Sequence, residues 1–270
     1  MSKEFRISVA QCVSLIGRVE ENLALAGTLC ERAGREGADI ILFPETHANG
    51  YSYRDLYSLV VATAETMSGR IVHHLREMSM ANGLVVCCGM FEREGDLFYN
   101  THVVAFPDGR VDRQRKGATA CAESDVIALD PVRKVFVWED TRFGILICAD
   151  SALSDFREQF EELDISLLLH PCAGRILVLG EEGQGALEKE SGDSFQAGCR
   201  LAQSMGVTCA VANPIGFSGE DHYPGNSWIV RPDGAYVRTP VSSFPETAEP
   251  DIINIAVQEK LCVGSNFIPS

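Results

Sequence analysis

Phe5-Arg-Ile-Ser-Val-Ala-Gln11 and Ala38-Asp-Ile-Ile-Leu-Phe43 bracket the segment whose reading decides the fold. The first alternates or runs apolar over the length of a strand. Between the two, Val19, Leu23, Ala26, Cys30 and Ala33 fall at steps of 4, 3, 4 and 3 residues, which is one apolar stripe along a helix. Gly37 ends that helix, and the second run is short and continuously apolar, as in a strand covered on both faces. The unit reads β-α-β, so its two strands are expected to pair in parallel.

Working outward, a helical region is predicted over about 54–82, with Ile71, Leu75 and Met78 on one face and Asn82-Gly83 as its stop. Strands follow at Leu84–Phe91 and Leu97–Phe106, and Pro107-Asp-Gly-Arg110 turns the latter into Val111–Arg115. Val135–Trp138 and Phe143–Ile147 flank Glu139-Asp-Thr-Arg142 in the same way. A helical patch at about 152–163 leads to a strand at Ile165–Leu169, and Gly180–Gly185 reads as an exposed loop. A helix over about 186–205, a strand at Gly206–Ala212 and a hairpin of Ser227–Val230 with Ala235–Arg238 complete the pattern. With no linker, low-complexity tract or sequence repeat, residues 1–270 read as a single α/β domain. Parallel units mixed with hairpins predict a mixed sheet, or two sheets sandwiched between outer helices.

Composition narrows the function. The chain has 46% apolar residues, 24 glycines and 11 prolines in 270, enough for a large core. A net charge of −15 argues against a surface built to grip nucleic acid or anionic lipid, and no apolar stretch approaches the roughly 18 residues of a membrane span. The ten cysteines, at 12, 30, 87, 88, 121, 148, 172, 199, 209 and 262, lie mostly in apolar runs and read as free thiols. Together with an N-terminus that runs from Met1 straight into strand pattern, they predict a cytoplasmic protein. Cys87-Cys88 places one side chain on each face of its strand, His73-His74 reads as helix surface, and no C-x-x-C or H-x-x-x-H pair suggests a metal.

Sites in α/β sheets lie beyond the carboxyl ends of strands. Here one strand ends at Pro44-Glu45, another at Lys116-Gly117 and a third at Cys148-Ala-Asp150. A carboxylate can take the proton of a thiol, the thiolate can attack a carbonyl carbon, and an ammonium can stabilise the oxyanion that develops. The backbone N–H of Ala149 is a second donor to that oxyanion. Taken singly, Glu45 reads equally as a cap, Lys116 as a solvated hairpin lysine and Cys148 as an inert thiol. Asp150 either supports the turn through backbone hydrogen bonds or touches substrate.

Leu42-Phe-Pro-Glu45 with Gly50-Tyr51, Arg115-Lys116, and Gly144-Ile-Leu-Ile-Cys148-Ala-Asp150 resemble, in that order, the motifs of the carbon–nitrogen hydrolase (nitrilase) superfamily. Glu123, Leu129-Asp-Pro131, His170-Pro171, Cys199-Arg-Leu-Ala202, Val211-Ala-Asn213 and Gly225–Gly234 extend the likeness along the chain. The resemblance implies a four-layer α-β-β-α sandwich with two mixed sheets, a homodimer or larger homo-oligomer, and no cofactor. It assigns the general base to Glu45, the oxyanion cation to Lys116 and the nucleophile to Cys148, with Glu123 orienting substrate and lysine. The implied reaction is hydrolysis of a small aliphatic amide or an N-carbamoyl amine or amino acid through a thioester.

The chain departs from the family where Ala149 replaces a bulky residue, Leu153-Ser-Asp155 replaces aromatic-Pro-Glu, and Gly117-Ala-Thr119 stands where His-Leu usually follows the lysine. These changes bear on substrate class. His170, Cys172 and Arg175 are the pocket candidates: Cys172 borders the pocket or packs the core, and Arg175 is a carboxylate anchor or a surface arginine. Three other readings stay open, namely a thiol hydrolase pairing Cys148 with His170, a nitrile hydrolase, and a non-catalytic member serving as a binding or assembly subunit.

Overall fold

The computed structural model describes residues 4–120, 123–175, 195–196, 198–218, 221–239 and 250–257, with the backbone alone at 156–157 and 161–162. In chain order the elements are β1 (Arg6–Gln11), α1 (Val19–Arg35), β2 (Ile40–Leu42), α2 (Leu56–Thr63), α3 (Arg70–Asn82), β3 (Val85–Glu94), β4 (Leu97–Ala105) and β5 (Val111–Arg115). Then come β6 (Phe136–Trp138), β7 (Thr141–Ile145), α4 (Ser154–Glu162), β8 (Leu167–Pro171), β9 (Thr208–Ala212), β10 (Ile215–Ser218), β11 (Asp221–Pro224), β12 (Trp228–Val230), β13 (Tyr236–Arg238) and β14 (Asp251–Ala256).

The opening unit forms as expected. β1 and β2 pair in parallel with Ile7 opposite Ile40, and the whole stripe from Val19 to Ala33 on α1 is buried. Among the described residues two six-stranded mixed sheets result, ordered β14-β1-β2-β3-β4-β5 and β13-β12-β9-β8-β7-β6, beside a separate β10-β11 ribbon. Strand alternation explains the layering. Ile7, Val9, Ile40, Leu42, Val85 and Cys87 of one sheet meet Phe143, Ile145, Leu167, Leu169, Ala210 and Ile229 of the other in a shared apolar layer. The alternate residues Ala10, Ile41, Phe43, Val86 and Cys88 face outward and are covered by α1 and α3. Leu146, Leu168, Cys209 and Trp228 are covered on the second sheet by Phe160 of α4 and by Ala202 and Met205 of the helical residues 198–205. The architecture is thus a four-layer α-β-β-α sandwich, and Cys87 and Cys88 do face opposite layers.

The expected helix over 54–82 is instead two helices. Between them Glu65 leaves the helical path to join the sheet: its N–H donates to Phe91 O (3.1 Å) and its carbonyl accepts from Arg93 (2.8 Å). Its carboxylate then accepts the N–H of Ile71 at the start of α3 (2.8 Å). β10, β11 and β14 are strands beyond those expected, and other strand limits differ from expectation by a few residues. The Gly180–Gly185 loop and most of the helix expected over 186–205 lie outside the described residues. No helix among the described residues is long and apolar enough to cross a membrane.

Candidate active site

Glu45 follows β2 and Lys116 follows β5 in one sheet, while Cys148 follows β7 in the other. Folding brings all three strand ends to one place. Lys116 Nζ lies 2.7 Å from Glu45 Oε1 and 2.7 Å from Glu123 Oε2, and the three residues are 1%, 2% and 0% exposed. Burial disfavours the ammonium, but Glu45, a Cys148 thiolate and Glu123 outweigh it and hold the Lys116 pKa above the ordinary lysine value.

A fifth group, missed in the sequence, completes this arrangement. The Asn100 side-chain amide on β4 donates to Glu45 Oε1 (2.8 Å) and to Glu123 Oε1 (2.9 Å), while the Asn100 backbone carbonyl accepts the backbone N–H of Lys116 (2.8 Å). The available signal was Asn100-Thr-His102, a polar run in the middle of an otherwise apolar strand. The two carboxylates are therefore unlike. Glu123 accepts at both oxygens, with Oε2 taking the Ala120 N–H (2.8 Å) besides Lys116. Both donors to Glu45 reach Oε1, which leaves Oε2 without a hydrogen-bond donor among the described residues.

Backbone strain marks both corners. Thr46 and Cys148 have φ of 48° and 46°, in the left-handed region that costs a side-chain-bearing residue about 1–2 kcal/mol. The turn at Glu45 is pressed against β3 at Gly89, where an added Cβ would lie 2.2 Å from the Thr46 nitrogen. From the other sheet, Cys172 O accepts the Glu45 N–H (3.1 Å).

Cys148 opens a 3-10 turn over Cys148–Ala152, which contains Ala149 and the fully buried Asp150. Asp150 accepts from Ile147 N (3.0 Å), Gly117 N (2.9 Å), Ala118 N (2.8 Å) and Arg133 Nη1 (2.9 Å). It joins the cysteine turn to the backbone after Lys116. Arg133, also missed in the sequence, reaches Arg115 O (3.0 Å) and Asp130 O from the other side.

The pocket candidates divide. His170 Nε2 donates to the Cys148 carbonyl (3.0 Å), and burial lowers the His170 pKa, so it is a neutral brace on the cysteine backbone. The Cys172 thiol donates to His170 O (3.7 Å), and its interaction with Cys148 together with burial pushes its pKa well up. Arg175 is paired with Asp221 Oδ1 (2.8 Å) and lies 4.0 Å over the Tyr53 ring, so its charge is already partly matched. Among the described residues no group of three or more His, Cys, Asp or Glu is placed to hold a metal ion.

Comparison with known proteins agrees with this architecture. The amidase from Nesterenkonia sp. superposes with a TM-score of 0.75 at 21% identity, covering 96% of this chain and 92% of that one. A nitrilase of Pyrococcus abyssi (strain GE5 / Orsay) is 22% identical over 168 residues, 62% of this chain and 64% of its own length. A glutamine-dependent NAD(+) synthetase of Xylella fastidiosa (strain Temecula1 / ATCC 700964) is 28% identical over 243 residues, 85% of this chain and 41% of its own. The chain thus matches less than two thirds of the length of either curated relative. Residues 6–260 match the profile of the carbon–nitrogen hydrolases, and the chain belongs to that family.

Proposed function

We propose that residues 1–270 act as one hydrolase domain that cleaves a non-peptide C–N bond in a small aliphatic amide or N-carbamoyl compound. The observation that carries the reading is the buried ammonium of Lys116, held 2.7 Å from each of two carboxylates beside a cysteine in a strained turn. Glu45 takes the Cys148 proton through Oε2, the oxygen its neighbours leave open. The thiolate attacks the carbonyl carbon, and Lys116 with the Ala149 N–H carries the oxyanion. Glu45 returns the proton to the leaving nitrogen, a thioester remains on Cys148, and a water activated by the same glutamate releases the acid. Glu123 and Asn100 hold Lys116 and Glu45 in register throughout.

Similarity to a glutamine-dependent enzyme over 85% of the chain makes glutamine a specific member of the amide class to test, with Arg175, which lies over the Tyr53 ring, as the group to meet its carboxylate. Ammonia release from amides, N-carbamoyl amines, nitriles and glutamine is the direct measurement, with intact mass reporting a Cys148 acyl adduct. Turnover by the wild type, loss in Cys148→Ala and a fall of about 10³-fold or more in Lys116→Ala are expected. Substantial activity in Lys116→Ala points to a His170-assisted thiol hydrolase instead. Equal inactivity of wild type and Cys148→Ala, with Cys148 no more reactive than the other cysteines, favours a binding or assembly subunit. Light scattering of the same preparation tests the homo-oligomer that the family implies.

A further inference from the structure

Three tyrosines stand together in the apolar wall beside the site, and two have spent their hydroxyls. Tyr53 donates to Ala173 O (2.6 Å) and Tyr223 to the Tyr51 carbonyl (2.9 Å). The Tyr51 side chain is 3% exposed, and its hydroxyl has no hydrogen-bond partner among the described residues. The ring cannot easily swing to find one. It packs 4.8 Å from Tyr53 and 6.4 Å from Phe91, and the preceding Gly50 has φ of 72° with its absent Cβ 2.7 Å from Ile16 Cα and from Leu15 O. The ring lies near the triad, because its neighbour Tyr53 is anchored at Ala173, next to Cys172, whose carbonyl accepts the Glu45 N–H (3.1 Å). Burial, and after it the charges of Glu123, Glu45 and Cys148, raise the Tyr51 pKa and keep the hydroxyl protonated. A buried hydroxyl without a partner destabilises the free chain, and a pocket retains one where a ligand supplies the partner.

We propose that the Tyr51 hydroxyl accepts the second N–H of an unsubstituted carboxamide, so that the pocket selects primary amides over N-substituted ones. The inference rests on the hydrolase reading for the placement of the reacting group. Once the acyl oxygen is taken by Lys116 and the Ala149 N–H, the amide nitrogen still presents two hydrogens. Glu45 Oε2 accepts one. The second needs an acceptor on the apolar side, where Tyr51 carries an unspent oxygen. An N-methyl amide puts carbon against that oxygen, whereas the terminal NH2 of an N-carbamoyl compound satisfies it. A nitrile has no N–H to offer.

Tyr51→Phe removes the oxygen and leaves the ring. With propionamide kcat/KM falls about 10- to 100-fold, with N-methylpropionamide it falls much less, and the ratio between them drops at least about 10-fold. The melting temperature stays level or rises, because the free chain loses no hydrogen bond. Equal losses on both amides, or a lowered melting temperature matching the lost activity, overturn the proposal. A readout independent of turnover is labelling of Cys148, mapped by mass, with iodoacetamide and with methyl methanethiosulfonate, which has no amide. Tyr51→Phe slows the first relative to the second about 10-fold if the contact exists, and an unchanged ratio overturns it. A wild type that turns over no amide yet keeps this amide-selective labelling overturns the hydrolase reading and leaves the Tyr51 contact standing.

Discussion

One ammonium serving two carboxylates leaves a net negative charge inside the sandwich, and that charge sets how single substitutions behave. Lys116→Met strands Glu45 and Glu123 without a cation at 2% and 0% exposure. Breaking a buried pair in this way costs about 3–5 kcal/mol, or roughly 10 °C of melting temperature for a chain of this size. Adding Glu123→Gln removes one of the stranded charges and restores part of the loss, measurable by calorimetry on the double variant. A double variant no more stable than Lys116→Met refutes the charge argument. Activity separates the same residues differently. On the proposed mechanism Glu45→Gln removes the base and is expected to lower kcat about 10³-fold or more, while Glu123→Gln keeps hydrogen-bonding capacity at the lysine and is expected to cost about 10- to 100-fold. Equal losses in the two variants contradict the assignment of Glu45 as base.

Strands deliver these residues, so the next level of control lies in how elements touch. Gly89 sits on β3 and contacts no reacting atom, yet a Cβ there meets the Thr46 nitrogen at 2.2 Å. Gly89→Ala forces the Glu45 turn off the sheet, with an expected cost of about 1–3 kcal/mol and about a 100-fold fall in kcat from misplacing the base. Retained kcat with lowered stability shows that the turn moves without Glu45. This contact also marks where sequence reading stops. β1, α1 and β2 were legible because alternation and the helical stripe are properties of each segment alone. The three strand-end residues were legible because each motif is local. Glu65 was not, because its departure from the helical path is set by Phe91 and Arg93 across the fold. β14 escaped for the same reason, since Asp251–Ala256 pairs with Arg6–Gln11 from the far end of the chain. Asn100 and Arg133 were hidden because their roles depend on which turns fold against them.

The whole molecule is built as two sheets with one plan. From β14 to β5 and from β6 to β13, successive pairings run antiparallel, parallel, parallel, antiparallel, antiparallel in both, although the sequence shows no repeat. Glu45 and Lys116 belong to one sheet and Cys148 to the other, so the candidate site exists only while the sheets stay packed. Acid reaches that packing through histidines buried in the neutral form. Burial lowers the pKa of His47 to about 4 and of His102 to about 3, and also lowers that of His170. Between pH 6.5 and 4 the unfolded chain binds protons that the folded chain does not, so stability is complete above pH 6.5 and falls with pH. His47 and His102 each remove about 3 kcal/mol by pH 4. The surface carboxylates whose pKa values are lowered by arginines, such as Glu21 and Asp108, add a loss of the same sign only at lower pH, near and below the ordinary carboxylate range. With only partial opposition from Asp150, whose pKa burial raises, the histidines carry the loss in the interval from pH 6.5 to 5. Urea midpoints should fall steadily across it, Cys148 labelling should lose its selectivity at the same midpoints, and His102→Gln should flatten the slope. A midpoint constant from pH 6.5 to 5 sinks the buried-histidine account, and labelling selectivity lost well before the midpoint shows that the site opens without separation of the sheets.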